Sequence, residues 1–210
     1  MSWCRIRNTA GTFCLRAVPL LAILAVPASA QLTQDEALAL AFPDASEVER
    51  VTAYLDDAQL ERARTLAGPG VEVPSGIVTY YVARGPSGAE GVAYFDAHRV
   101  RTLPEVLMVV VTPEATVRQV ETVSFGEPPE YRAPEGWLAL MEDQGLSEEL
   151  SLKGTLPNLT GATLTAQAAA AAVRRVLALH TVIAPLASPG TSGAIAGAGR
   201  IYPGGASGAG

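Results

Sequence analysis

Residues 106–112 read VLMVVVT, an uninterrupted apolar run that ends in a threonine. Short apolar runs rich in β-branched residues are typical of a strand that is buried on both faces of its sheet. The dipeptide Pro113-Glu114 then predicts a turn, and residues 117–125 alternate imperfectly between apolar and polar side chains. We therefore expect a buried strand followed by an antiparallel neighbour, and this pair sets the fold class.

The chain ahead of this pair predicts a β-hairpin. Residues 77–83 and 91–95 are rich in β-branched and aromatic side chains, and the cluster GPSG at residues 85–88 joins them. Glycine, proline and serine between two such segments are typical of a tight turn. Together the four segments predict an antiparallel sheet of about four strands.

Capping signals predict two helices before this hairpin. Residues 33–36 (TQDE) have the form of a capping box, and they open a short helix that Pro43 ends. Asp56, with Gln59 three residues later, forms a second box. The helix that follows Asp56 is expected to close at the Gly-Pro pair of residues 68–69.

Two more helices are predicted after the sheet. Pro134 begins a short amphipathic helix that carries Trp137, and the alanine-rich residues 164–183 form a long helix. Arg174 and Arg175 lie in the middle of the long run and off its apolar face, which argues against a membrane span. The apolar face is expected to carry Ala169, Val173, Val176, Leu177 and His180.

The order of these elements predicts an α+β fold. Helices, then a small antiparallel sheet, then helices are expected to form a single domain over residues 31–184. Residues 185–210 consist mainly of glycine, alanine, serine and proline, with little to bury. We expect this segment to be a disordered tail.

The first 30 residues predict export. Three arginines precede an apolar stretch at residues 17–26, and residues 28–30 (ASA) match a signal-peptidase cleavage site. We expect residues 1–30 to be a signal peptide and the mature chain to begin at Gln31, in the periplasm or another exported compartment. A retained membrane anchor is the alternative interpretation.

Cleavage would leave an acidic chain without cysteine. Cys4 and Cys14 lie within the first 30 residues, so cysteine-ligated iron–sulfur clusters, covalent haem attachment and thiol redox chemistry are excluded from the mature chain. Three of the 15 basic side chains and none of the 21 acidic ones lie there too, which leaves 12 basic against 21 acidic and a formal charge of −9. Such a chain is poorly suited to nucleic acid. Any redox role would need a bound organic cofactor.

The residues most informative about function are Thr160, Gly161, Ala162 and Thr163, directly before the long helix. Two small residues between hydroxyl residues leave the backbone accessible at the helix entrance. Free N–H groups and the positive end of the helix dipole favour an anion there. A threonine hydroxyl at this position can bind a phosphate or be esterified to one. The alternative interpretation is an ordinary helix N-cap after a flexible turn.

Residues 157–165 (PNLTGATLT) resemble the flavinylation motif of the FMN-binding domain family. That family includes the FMN-carrying C subunit of sodium-translocating NADH:quinone reductase and the corresponding Rnf-type subunit. Its motif reads Asp-x-x-Ser/Thr-Gly-Ala-Thr, and the last threonine carries FMN through a phosphoester bond. In this chain Pro157 replaces the family's Asp, and Asn158 is adjacent but out of register. This departure bears on covalent attachment and leaves the fold inference intact.

Weaker features, which follow one another along this chain in the same order as in the family, extend the resemblance over residues 42–180. Residues 91–94 (GVAY) match a strand of the family's hairpin, and residues 125–129 (FGEPP) match the turn that follows a strand. A helix led by a tryptophan, here Trp137, then precedes the Gly-Ala-Thr helix.

The resemblance implies an exported flavoprotein that carries electrons, in preference to an enzyme with its own substrate, and the apo-protein need not perform chemistry of its own. A separate flavin transferase, using FAD and Mg²⁺, would place FMN on Thr163, and the redox partner would be membrane-bound or extracytoplasmic. Gly161 and Ala162 would let the phosphate approach the backbone. Tyr94 and Trp137 are expected near the flavin ring. The implied cofactor-binding residues are Thr160, Gly161, Ala162, Thr163, Thr165, Tyr94 and Trp137, with the hydroxyls of Thr160 and Thr165 as additional donors.

Two other functions fit the same sequence. One is an exported binding or scaffold module that keeps the fold without a flavin. The other is an enzyme that binds FMN non-covalently and acts on a small molecule.

The remaining polar residues predict neither a catalytic group nor a metal site. Asp96 and His98 are two potential metal ligands, whereas zinc sites need three or four, so we expect a strand-end histidine with a surface partner. His180 is expected at the edge of the core. Glu127 and Glu130 are expected to be turn residues, and no Ser–His–Asp arrangement is evident.

Overall fold

The structure is a computed structural model that describes residues 32–186 and the backbone of residues 199–201. Two 3₁₀ turns, Pro129–Tyr131 and Ala139–Met141, flank the third helix. The helices and strands are, in chain order, α1 (Gln34–Ala41), β1 (Glu47–Tyr54), α2 (Asp57–Ala67), β2 (Ile77–Gly85), β3 (Gly88–Arg99), β4 (Pro104–Val111), β5 (Val117–Phe125), α3 (Glu135–Leu138), α4 (Thr163–Ile183) and the three-residue β6 (Gly199–Ile201).

The strands form one antiparallel sheet in the order β5-β4-β3-β2-β1-β6. Strands β1 to β4 each pair with the next strand along the chain, and β6 pairs with β1. Val109 of β4, for example, lies between Tyr94 of β3 and Val120 of β5. The predicted α+β fold, a small antiparallel sheet flanked by helices, is confirmed.

Strand β4 is buried on both faces because helices cover both sides of the sheet. Leu107, Val109 and Val111 belong to the larger core, together with α2 and α4. Met108 and Val110 point the other way, into the smaller core that α1 covers. All five side chains are fully buried. Successive strand residues face opposite sides of a sheet, so a strand covered on both sides has to be apolar throughout.

Both predicted capping boxes are present. The Thr33 hydroxyl accepts a hydrogen bond from the Glu36 backbone N–H, and the Glu36 carboxylate accepts one from the Thr33 N–H. Asp56 and Gln59 make the same reciprocal pair at the start of α2. Helix α2 ends at Gly68, whose φ of +79° lies in the left-handed region that favours glycine.

The sequence interpretation missed strand β1. Its sequence, EVERVTAY, begins with three charged residues among its first four, and only Val51 and Ala53 are buried. The strand lies near the edge of the sheet, between β2 and β6, so its outer side chains need no apolar partner. A strand of this kind lacks the continuous apolar character that identified β4.

Strands β2 and β3 diverge at one end of the sheet. They pair from Gly85 opposite Gly88 as far as Tyr80 opposite Tyr94. Beyond that point β2 continues to pair only with β1, and β3 only with β4. The divergence opens a cleft of about 480 Å³ that α4 closes from one side.

Helix α4 is buried over more of its circumference than its sequence predicted. The expected apolar face is buried as predicted, from Ala169 to His180. Arg174, expected off that face, is nevertheless only 7% exposed. The reason is that α2 packs against α4 on a second side. Among residues 32–186 and 199–201, no helix has the length and apolar character needed to cross a membrane.

Two terminal predictions fall largely outside the described residues. The predicted signal peptide, residues 1–30, lies wholly outside them. Of the predicted tail, residues 185 and 186 are described, and Leu186 packs against the larger core. Residues 199–201 pair with β1, with Ile201 opposite Val48.

Candidate functional site

The entrance of α4 has backbone donors without a side-chain cap. Ala162 occupies the N-cap position and makes no side-chain hydrogen bond to the helix. The first intrahelical bond runs from the Ala166 N–H to the Ala162 carbonyl, 3.0 Å apart. The N–H groups of the preceding turn, Thr163 to Thr165, therefore have no acceptor within the helix. These N–H groups lie at the positive end of the dipole of a 21-residue helix, so the helix entrance favours an anion.

Glycine is required just before this entrance. Gly161 has a φ of +88°, in the left-handed region that side-chain-bearing residues rarely adopt. A Cβ at Gly161 would meet nothing within 4 Å, so the approach to the backbone is open. Thr160, next to it, is exposed. The sequence prediction of a bare backbone at the helix entrance agrees with this geometry.

The Thr163 hydroxyl is held by its own loop. This half-buried side chain donates to Asn158 Oδ1 at 3.1 Å and lies 3.2 Å from the Leu159 carbonyl oxygen. Asn158 is out of register with the family's motif, yet its amide contacts the hydroxyl of interest. No local pattern predicts this contact, because it depends on how the loop folds back on Thr163.

Trp137 lies beside the same loop, at its beginning. Its indole N–H donates to the Pro157 carbonyl oxygen at 2.9 Å, and its ring is buried in the larger core. Thr165 is also near the loop, but its hydroxyl donates to the Tyr131 carbonyl oxygen at 2.6 Å and its side chain is buried. Thr165 therefore anchors α4 to the turn at Tyr131, and its hydroxyl is not directed to the helix entrance.

The structure does not bring Tyr94 together with the threonine motif. Tyr94 is 2% exposed on the α4 side of the sheet, and its hydroxyl shares a 3.0 Å hydrogen bond with His180 Nδ1. His180 is 17 residues beyond Thr163, about 25 Å along the helix at 1.5 Å per residue. The predicted place of Tyr94 near a flavin at Thr163 is therefore not supported. Its position in β3 directs the Tyr94 side chain into the larger core instead.

The Tyr94–His180 pair is kept neutral by burial. Burial lowers the pKa of His180 to about 4, and burial, together with Tyr80, raises the pKa of Tyr94. Their rings meet edge to face with centroids 5.8 Å apart. His180 was expected at the core edge, and the structure has it 5% exposed.

Asp96, His98 and Arg175 line the cleft between β2 and β3 and form a network with the buried Glu105. Arg175 donates two hydrogen bonds of 2.7 Å to Asp96, through Nε and Nη2. His98 donates to Asp96 at 2.9 Å through Nδ1 and to Glu105 at 3.1 Å through Nε2. Glu105 is fully buried, and its Oε1 has no hydrogen-bond partner within the described part of the chain.

This network fixes the charge of its histidine. Burial lowers the pKa of His98, but the hydrogen bonds to Asp96 and Glu105 outweigh burial and raise it to about 9. For Asp96, burial acts in the opposite direction and raises the pKa. The hydrogen bonds and charges of Arg175 and His98 outweigh burial, so the pKa of Asp96 is lowered. His98 is thus a cation between two carboxylates at neutral pH.

The sequence prediction for His98 was only partly right. His98 lies near the end of β3 as expected, but its partners are not at the surface: Asp96 is mostly buried, and a second acidic side chain comes from β4, where His98 pairs with Glu105. The sequence feature that could have predicted this pairing is the short connection between Arg99 and Pro104, because strands joined by a short turn pair with each other. No three His, Cys, Asp or Glu side chains in the described ranges are arranged to hold a metal ion.

Glu127 is a turn residue, as predicted. Its Oε1 accepts the backbone N–H groups of Thr102 at 2.7 Å and Leu103 at 2.8 Å. These bonds, above all, lower the pKa of Glu127. The carboxylate thereby closes the turn between β3 and β4.

Comparison with known proteins adds no assignment. No protein-family model matches this chain, and no similar protein is found among curated proteins. The functional inference therefore depends on the geometry of the α4 entrance and on the resemblance in residues 157–165.

Proposed function

We propose that this protein is an exported carrier of FMN that takes part in extracytoplasmic electron transfer, with the flavin held on Thr163 through a phosphoester bond. The observation that carries the proposal is the uncapped entrance of α4, where Gly161 and Ala162 expose the backbone next to a threonine hydroxyl. The resemblance of residues 157–165 to the flavinylation motif supports the choice of FMN among anions.

The residues at this entrance fit a phosphate monoester. Three backbone N–H groups, from Thr163 to Thr165, lack an intrahelical acceptor, and no side chain caps them. No Cβ at Gly161 obstructs the approach. A phosphate ester on Thr163 would thus lie against donors that the folded chain already presents.

Attachment would be a phosphoryl transfer from FAD. The Thr163 oxygen forms a bond to the phosphorus of the FMN half, the pyrophosphate P–O bond breaks, and AMP leaves. The hydroxyl proton needs a base. Asn158 and the Leu159 carbonyl accept a hydrogen bond from this hydroxyl but have no basic group at neutral pH. The base must therefore come from the flavin transferase, and Asn158 orients the hydroxyl.

The chain itself favours a carrier over an enzyme. A bound flavin supplies the one- and two-electron chemistry, while the chain supplies binding, orientation and electrostatics. Thr163 is surrounded by amide and carbonyl groups, without a titratable side chain among its hydrogen-bond partners. The redox partner would be a membrane-bound or extracytoplasmic protein.

The test is the intact mass of the exported protein after co-expression with an active flavin transferase. We expect a gain equal to FMN less one water. Thr163→Ala should abolish the gain, whereas the matched control Thr160→Ala, which removes an exposed hydroxyl of the same loop, should retain it. Pro157→Asp, which restores the family's residue, should raise the modified fraction.

The same preparation separates the alternatives. If the wild type and Pro157→Asp both stay unmodified beside an active transferase, the covalent proposal is wrong. Flavin absorbance that is released by acid would then indicate non-covalent FMN. Absence of flavin in every form would indicate a binding or scaffold module.

A further inference from the structure

A second cavity, of about 590 Å³, lies on another side of α4. Residues 69–71 after α2 line the cavity, as do Glu148 and residues 150–153. Helix α4 contributes the floor, with Gln167 and Arg174 at its two ends. We call this cavity the Arg174 pocket.

Arg174 is a buried cation without a counter-ion among the described residues. It is 7% exposed, and its Nε has no hydrogen-bond partner within the described residues. No ion pair of the guanidinium is found in that part of the chain either. Arg175, the next residue, makes two hydrogen bonds to Asp96, so the two neighbouring arginines differ in their pairing. A buried guanidinium normally has an anionic or hydrogen-bonding partner, because burial removes its hydration.

The end of α2 compensates this charge only in part. The guanidinium lies against Gly68, where a Cβ would collide with Nη2. Gly68 ends α2, so the negative end of that helix faces the cation. The Gly68 N–H donates to the Arg64 carbonyl, and no hydrogen bond from Arg174 to α2 is found among the described contacts. The helix end therefore attracts the guanidinium without satisfying its donors.

The remaining lining suits an anion that has an apolar part. Lys153 and Gln167 are exposed and bring further donors to the mouth of the pocket. Leu150, which is fully buried, and Val71 contribute apolar side chains to the lining. Glu148, the one carboxylate in the lining, is exposed at the rim.

We infer that the Arg174 pocket binds a small organic oxyanion, a carboxylate or phosphate ester whose charged end pairs with Arg174 and whose apolar part packs against Leu150 and Val71. Planar, forked donors make arginine well suited to such oxygen pairs. The pocket is distinct from the proposed flavin attachment at Thr163, and the inference holds whether or not Thr163 is modified.

The test is calorimetric titration of the purified full-length chain with phenyl phosphate and with inorganic phosphate at constant chloride. We expect saturable binding of both, at least about tenfold tighter for phenyl phosphate, a difference of about 1.4 kcal/mol. Arg174→Met, which keeps the apolar stem, should abolish binding. Arg62→Gln, which removes an exposed arginine of α2, should leave it unchanged.

Two further variants keep the inference falsifiable if Arg174→Met folds poorly. Lys153→Gln, at an exposed position, should weaken binding several-fold and make it less dependent on salt. Gln167→Ala, which removes another exposed donor of the pocket, should likewise weaken binding. No saturable binding, equal affinity for the two phosphates, or undiminished binding by a folded Arg174→Met would overturn the inference.

Discussion

The charged network around His98 predicts a loss of stability in alkaline solution. The folded protein raises the pKa of His98 from 6.5 to about 9, so at 1.4 kcal/mol per pKa unit the protonated histidine contributes about 3 kcal/mol to the free energy of unfolding. Because the folded pKa is the higher one, this contribution is complete below pH 6.5. It is lost as the pH rises through 9.

Urea unfolding of the full-length chain, followed by circular dichroism between pH 6.5 and 9.5, measures this loss. We expect the free energy of unfolding to fall by about 3 kcal/mol across the range, with a steepest slope of about 1.4 kcal/mol per pH unit. His98→Gln should start from a lower stability and change little over the same range. The side chain is 10% exposed, so added salt should reduce the effect only slightly.

The matched control is the other histidine. His180→Gln should keep the alkaline fall, because burial holds His180 neutral in the folded protein throughout this range. A wild-type free energy that changes by less than about 1 kcal/mol from pH 6.5 to 9.5 would refute the reasoning. So would an equal fall in His98→Gln.

Three further predictions concern stability. Burial lowers the folded pKa of His180 to about 4, so the neutral histidine contributes about 3 kcal/mol to the free energy of unfolding above pH 6.5, and this contribution is lost as the pH falls through 4. The difference in urea stability between wild type and His180→Gln should therefore shrink as the pH falls from 6.5 to 4. A constant difference would contradict this prediction. Trp137→Phe removes the hydrogen bond to the Pro157 carbonyl and should lower the free energy of unfolding by about 1 kcal/mol; unchanged urea stability would show that the bond contributes nothing. Gly161→Ala places a side chain at a φ of +88° and should lower the free energy of unfolding by about 1–2 kcal/mol. The control Gly136→Ala, in α3, is equally uncrowded and should not lower the stability of the protein. Equal melting temperatures of the two variants would contradict the strain argument.

The sequence alone predicted those elements that depend on residues close together in the chain. The capping boxes at Thr33 and Asp56 are contacts over three residues, so they depend only on the residues at the start of each helix. The apolar run of β4 identified a strand covered on both faces, and the boundaries of β5 agree with the predicted residues 117–125. The bare backbone at Gly161 was likewise a local property.

The sequence located the candidate site but not its contacts. Thr163 and Gly161 were identified from the residue types of the Thr-Gly-Ala-Thr stretch and from its resemblance to a family motif, and the structure has them at the entrance of α4. Tyr94 was grouped with them by order along the chain, yet it lies near the other end of that helix. Which residues share a site depends on strand register and helix length, and neither follows from a short motif.

Tertiary structure alone decided where the charged groups lie. Arg174 and Arg175 are adjacent in the sequence, but one faces Asp96 across the cleft while the other is buried against the end of α2. His98 acquires its second carboxylate, Glu105, only through the pairing of β3 with β4. The free energy of a buried charge depends on partners that are distant in sequence, so the sequence determined which elements form, and the packing of those elements determined which charges are paired.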